Sequence, residues 1–93
     1  MRTIGEIPHP RLKITLFRLN QRLSVQFEAG MLTQIYKFRE GEGLESAQDL
    51  QRLIDDPFIQ AVERRMRQMQ ENALQAMGRF RTNDREDEFD EII

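Results

Sequence analysis

The strongest constraint on this chain lies between Arg11 and Ala29, RLKITLFRLNQRLSVQFEA. Apolar and polar residues alternate on both sides of Asn20-Gln21. With that pair as a two-residue loop, residues whose numbers sum to 41 face each other. Leu16 then opposes Val25, Ile14 opposes Phe27 and Leu12 opposes Ala29, all apolar. The other face pairs Lys13 with Glu28, Thr15 with Gln26 and Phe17 with Ser24. A slip of one residue would turn every side chain to the opposite face, so a single register buries the apolar set and sets Lys13 against Glu28. Asparagine tolerates the left-handed conformation that such a turn demands.

Ala29-Gly30 marks a second turn, and MLTQIYKF (31–38) a third strand. Two registers are open. A two-residue loop puts Leu32, Gln34, Tyr36 and Phe38 on the core side. A three-residue loop with Gly30 left-handed puts Met31, Thr33 and Ile35 there instead, leaving Leu32, Tyr36, Phe38 and Phe17 on the outer face. Upstream, Ile4 and Ile7 alternate before Pro8-His9-Pro10. Neither proline can donate to a sheet ladder, so this segment reads as an N-terminal arm or a short fourth strand, then an extended link. Glu40-Gly41-Glu42-Gly43 is a loop. Ser46-Ala47-Gln48-Asp49 resembles a capping box and opens a short helix with Leu50, Leu53 and Ile54 on one face. Asp55-Asp56-Pro57 stops it and starts another, since aspartate caps and proline suits a first turn.

The second helix is expected from Pro57 to about Phe80. Ile59, Val62, Met66, Met69, Ala73, Ala76 and Phe80 recur at spacings of 3, 4, 3, 4, 3 and 4, an apolar seam of three heptads. Such a helix is about 36 Å long, more than a small sheet of strands roughly 4.8 Å apart covers. Its end, with Ala73, Leu74, Ala76 and Met77, is expected to project. A single amphipathic helix lying on its own sheet accounts for the same spacing. The expected class is therefore α+β: a three-stranded antiparallel meander with a possible fourth strand, then a short and a long helix packed on one face. Residues 1–80 form one domain, and 81–93 an acidic tail with too little apolar content to fold alone.

Charge is distributed in blocks around a net −2. Residues 1–40 carry seven basic and three acidic groups, and 41–60 one basic and five acidic. Residues 61–80 carry four basic and two acidic groups, and 81–93 two basic and six acidic. Self-complementarity explains this pattern as well as an acidic partner does. With no cysteine and one histidine, His9, no metal-ligand spacing and no thiolate chemistry can be named. No nucleophile–base pair exists, and the Glu-Gly repeat lacks the pattern of a phosphate loop. No enzyme activity, metal or cofactor is expected. The opening MRTIGEIPHP lacks the apolar stretch of a secretory signal, and no run approaches a membrane span, so a cytoplasmic location and no membrane partner are expected.

The stretches IGEIPHPRLKITLFRLN, QFEAGMLTQIYKF and DDPFIQAV, within residues 4–69, resemble a set of small, uncharacterised bacterial proteins. The resemblance implies no activity and carries no site residues. Two readings follow from the residues. The first is a homodimeric protein-interaction module, with Met66, Met69, Ala73, Ala76 and Phe80 as the self-association seam. The second is a nucleic-acid-binding accessory protein. It would use a basic outer face of the strands built from Arg11, Lys13, Phe17, Arg18, Arg22, Tyr36 and Lys37.

Overall fold

The computed structural model describes the backbone of residues 1–92 and the side chains of residues 1–83. Four strands, β1 (Arg2–Ile7), β2 (Lys13–Leu19), β3 (Arg22–Ala29) and β4 (Leu32–Arg39), precede α1 (Ala47–Leu53) and α2 (Asp56–Ile92). The strands form one antiparallel sheet in the order β1-β2-β3-β4. The class is α+β, and of the two readings of the N-terminal segment, arm or short fourth strand, the strand forms as β1. Pro8 and Pro10 do not prevent β1, because the strand ends at Ile7 and both fall in the link to β2. β1 pairs with β2 through an irregularity between Thr3 and Gly5.

The β2–β3 register is the one that segregates the faces: Ile14 opposes Phe27, Leu16 opposes Val25 and Lys13 opposes Glu28. Asn20 takes the left-handed backbone, with φ 57°. The β3–β4 register puts Leu32, Gln34, Tyr36 and Phe38 on the core side, as a two-residue loop requires, but the loop is Gly30-Met31 and not Ala29-Gly30: Ala29 ends β3 and opposes Leu32. Gly30 opens that loop at φ 61°. Glycine pays no Cβ penalty there, which makes this turn compatible with the right-handed twist of its strands. Tyr36 therefore faces with Val25 and Phe38 with Leu23.

The core is the sheet face formed by Leu12, Ile14, Leu16, Leu23, Val25 and Phe27, closed by Leu50 and Ile54 of the α1 region and by Val62 and Met66 of α2. Phe27, Tyr36 and Phe58 form an aromatic cluster, with ring centroids 5.8 Å apart for Phe27–Phe58 and 4.9 Å for Tyr36–Phe58. Tyr36 donates its hydroxyl proton to Gln34 Oε1 (2.9 Å), and Gln34 Nε2 donates to the Val62 carbonyl (2.9 Å). That chain satisfies two half-buried polar groups and ties β4 to α2.

Each helix starts where its capping residues dictate. Ser46 Oγ accepts from the Asp49 N–H (3.2 Å), while Asp49 Oδ2 accepts from the Glu45 N–H (3.0 Å). The box thus closes one residue upstream of the usual reciprocal bond. Those contacts, the Glu45 N–H first and the Arg52 guanidinium second, hold the Asp49 carboxyl below its ordinary range. Asp55 caps α2 by accepting from the Phe58 N–H (3.0 Å). The helix then runs past Phe80 to Ile92, 37 residues. No proline follows Pro57, and Gly78 alone costs only about 1 kcal/mol relative to alanine in a helix. The expected roles of the side chains in the acidic tail lie outside the described residues. The molecule measures 66 × 27 × 19 Å with a radius of gyration of 19.1 Å, where a compact chain of this length would have about 12 Å. The excess is the projecting part of α2.

Candidate functional site

α2 begins as a core helix. Phe58, Ile59, Val62, Met66 and Met69 lie on or against the core, with Val62 0% and Met66 6% exposed. The sheet ends near the Gly30-Met31 turn, and the same apolar stripe continues into solvent. From Gln70 to Asn83 every residue of α2 is exposed. Leu74 is 64%, Met77 47% and Phe80 60% exposed, and Met31 at the turn is fully so.

The five residues of the expected seam therefore separate into two groups. Met66 belongs to the domain's own core and Met69 packs against it, so neither is available as drawn from the sequence. Ala73, Ala76 and Phe80 are exposed. A core stripe and a dimer seam use the same heptad spacing, and the sequence pattern does not separate them. Leu74 and Met77 join the exposed set, flanking the strict 3-4 positions.

The docked half is held by charge as well as by packing. Arg11 makes a two-bond ion pair with Glu63, Nε to Oε2 and Nη2 to Oε1, each 3.0 Å. The Arg11 guanidinium holds the Glu63 carboxyl below its ordinary range, and Glu63 in turn raises Arg11. His9 Nδ1 accepts from the backbone N–H groups of Arg11 and Leu12 (3.1 Å each), and its Nε2 lies 3.3 Å from Glu63 Oε1. An accepting Nδ1 places the imidazole proton on Nε2, facing the carboxylate. His9 is thus a bracket for the link before β2. Among the described residues, no group of three or more His, Cys, Asp or Glu is placed to hold a metal ion.

The second candidate face does not assemble as one surface. Lys13, Phe17, Arg22 and Lys37 share the outer side of the sheet, opposite Glu28, Ser24, Arg39 and Ser24 respectively, or level with Leu19 in the case of Arg22. Arg18 and Tyr36 do not. Arg18 opposes Leu23 on the helix side, where it pairs with Glu40 Oε1 (2.8 Å) and donates to the Glu45 carbonyl (2.6 Å). Its Nε is buried without a partner. Tyr36 lies in the aromatic cluster under α2, and Arg11 is engaged with Glu63. One residue was missed: Arg39 directly opposes Arg22 on the outer face. Their like charges stand across from one another, an arrangement that costs stability in a sheet. The turn arithmetic shows it only with the loop placed at Gly30-Met31; a loop at Ala29-Gly30 would set Arg22 opposite Lys37 instead.

Among the described residues, no helix is long and apolar enough to cross a membrane. Comparisons with protein-family models, curated proteins and solved structures found no match.

Proposed function

We propose that this chain is a non-enzymatic, cytoplasmic protein-interaction module that self-associates through the projecting half of α2. The observation that carries the reading is the exposure of Leu74, Met77 and Phe80 on a helix that has left its sheet. Fully burying a side chain of this size stabilises by about 1.5–3 kcal/mol. A long single helix has no other source of comparable stability in water, because most helical stability comes from packing an amphipathic face. The test is sedimentation of the full chain at roughly 100 μM. A dimer is expected, and Met77→Glu, which adds a carboxylate from each chain to a shared seam, is expected to give a folded monomer. A monomer before the change refutes the reading.

A second reading has its own support. The Arg22–Arg39 pair, with Lys37 and Phe17 on the same uncovered face, would gain from an anionic partner and supports nucleic-acid binding. Phosphate contacts are strongest at low salt, so absence of binding to a single-stranded oligonucleotide at about 50 mM salt refutes it.

A further inference from the structure

We infer that the corner of the sheet where Arg22 meets Arg39 is a site for the terminal phosphate of a single-stranded nucleic acid; this rests on the nucleic-acid reading and adds the group recognised. The Glu40 N–H donates to the Gln21 carbonyl (2.8 Å), so the ladder bonds pass through that rung. The next rung, Arg22–Arg39, is therefore the narrow kind, with Cα atoms about 4.5 Å apart and side chains closer than in a bonded rung. Two guanidinium groups thus rise side by side from the outer face. Lys37 stands two residues from Arg39 on the same face, opposite Ser24.

These charges are not compensated within the fold. Among the described residues, no carboxylate lies within salt-bridge reach of Arg22, Arg39 or Lys37. Glu40, next in sequence, is turned to the helix side, where it pairs with Arg18 (2.8 Å). Farther along the outer face, one rung holds Thr15, Gln26 and Ile35 with Glu6 at its edge, and the last sets Lys13 against Glu28. The positive charge is concentrated at one corner rather than spread as a stripe. A run of backbone diesters, each with a single charge, calls for a stripe. A terminal phosphate monoester carries about −1.5 to −2 near pH 7 and suits a cluster.

The corner is also concave. A hollow of about 440 Å³ is lined by Leu19, Asn20, Gln21, Arg22 and Arg39, and the two side-chain amides add neutral donors to the guanidinium forks. Ser24 beside it is only 8% exposed although both helices pack on the other side of the sheet, so the longer side chains around it close over it. Phe17 is half-buried on the same face, opposite Ser24 and diagonal to Arg22, at about 7–8 Å for such a diagonal. It offers a ring for the base of the terminal nucleotide. A free nucleotide would call for a pocket that encloses most of it. Here only the phosphate end is concave and the face beyond is open, which suits a strand that continues across the sheet.

The test is fluorescence anisotropy with internally labelled single DNA strands of one sequence, roughly ten nucleotides long, at about 50 mM salt. One strand carries a 5′-phosphate, one a 3′-phosphate, and one hydroxyls at both ends. A phosphorylated strand is expected to bind about ten-fold more tightly than the unphosphorylated one, through charge-assisted bonds to the arginines. Arg22→Ala and Arg39→Ala are each expected to abolish that ratio and to melt no lower than the unmodified chain, because each relieves the opposition of like charges. Arg64→Ala, exposed on α2, makes the same change in net charge and is expected to leave the ratio intact. Equal affinity of all three strands overturns the inference while the nucleic-acid reading stands. So does a ratio that survives both arginine substitutions or is lost equally with Arg64→Ala. Adenosine monophosphate that binds as tightly as the phosphorylated strand overturns it by making a free nucleotide the occupant. Absence of binding to any strand overturns both.

Discussion

The two halves of α2 share one apolar stripe and meet opposite fates. In the first half Phe58, Ile59, Val62, Met66 and Met69 close the core of the sheet. In the second, Leu74, Met77 and Phe80 stand in solvent. The 3-4 spacing continues across the boundary through Ala73, Ala76 and Phe80, with Leu74 and Met77 beside it; the sheet stops at the Gly30-Met31 turn. An amphipathic helix is therefore an offer of a surface, and the length of the element opposite decides how much is taken up within the chain. What remains uncovered is available to another molecule, and the docked half fixes its direction through Arg11, His9 and Glu63.

The contrast is broken most severely by removing apolar volume from each half in turn. Met66→Ala is expected to cost about 2–5 kcal/mol of domain stability, because it opens a cavity under the sheet. Met77→Ala is expected to change the stability of the monomer by less than about 0.5 kcal/mol, as for a surface position. Denaturant unfolding at low protein concentration checks both. Equal costs would mean that the projecting half packs on its own domain.

A smaller effect is expected from the polar tie between β4 and α2. Gln34→Ala removes the donor to the Val62 carbonyl and the acceptor for Tyr36. Two hydrogen bonds at half-buried groups are worth about 1–3 kcal/mol together, and Gln34→Glu, which keeps the acceptor but cannot donate, is expected to recover only part. Thermal unfolding of the two variants ranks them.

The smallest effect is that of acid on the Arg11–Glu63 clasp. The Glu63 carboxyl lies below its ordinary range when folded, so the unfolded chain binds that proton first as pH falls. The contribution to stability is therefore complete above the ordinary carboxylate range and disappears as pH drops below about 4, through the lowered folded value. Asp49 follows the same sign at the α1 cap. Glu63→Gln is expected to flatten the acid limb of a stability-versus-pH curve, and an unchanged limb would show that Glu63 does not hold the helix.

How much of this was legible in the sequence varies with the range of the interaction. The β2–β3 hairpin was fully readable, because alternation with a period of two leaves a single register that segregates Ile14, Leu16, Val25 and Phe27 from Lys13, Thr15 and Gln26. The β4 register was not, because Gly30 suits either turn, and with it went the sides of Tyr36 and Phe38. Arg18 reads as a polar-face residue by its charge, yet it stands two residues from Leu16 and so shares its face. Strand parity puts it on the helix side, where Glu40 and the Glu45 carbonyl receive it. Met66 fits a seam in the sequence as well as it fits a core, because core and seam share one periodicity, and only the extent of the sheet tells them apart. The Arg11–Glu63 pair spans 52 residues and has no local signature at all. The strand β1 was half visible: two prolines argued against it, but they begin one residue after it ends.

The division of α2 into a docked half and an exposed half proposed to self-associate is tested most directly by amide hydrogen exchange, read segment by segment as protein concentration is raised. Burial within the chain does not depend on concentration, whereas burial between chains does. Protection at residues 58–69 is expected to be strong and the same at about 1 μM and 100 μM. Protection at residues 74–83 is expected to be weak at the lower concentration and to rise at the higher. Protection at residues 74–83 that is independent of concentration, whether high or low, would contradict the account.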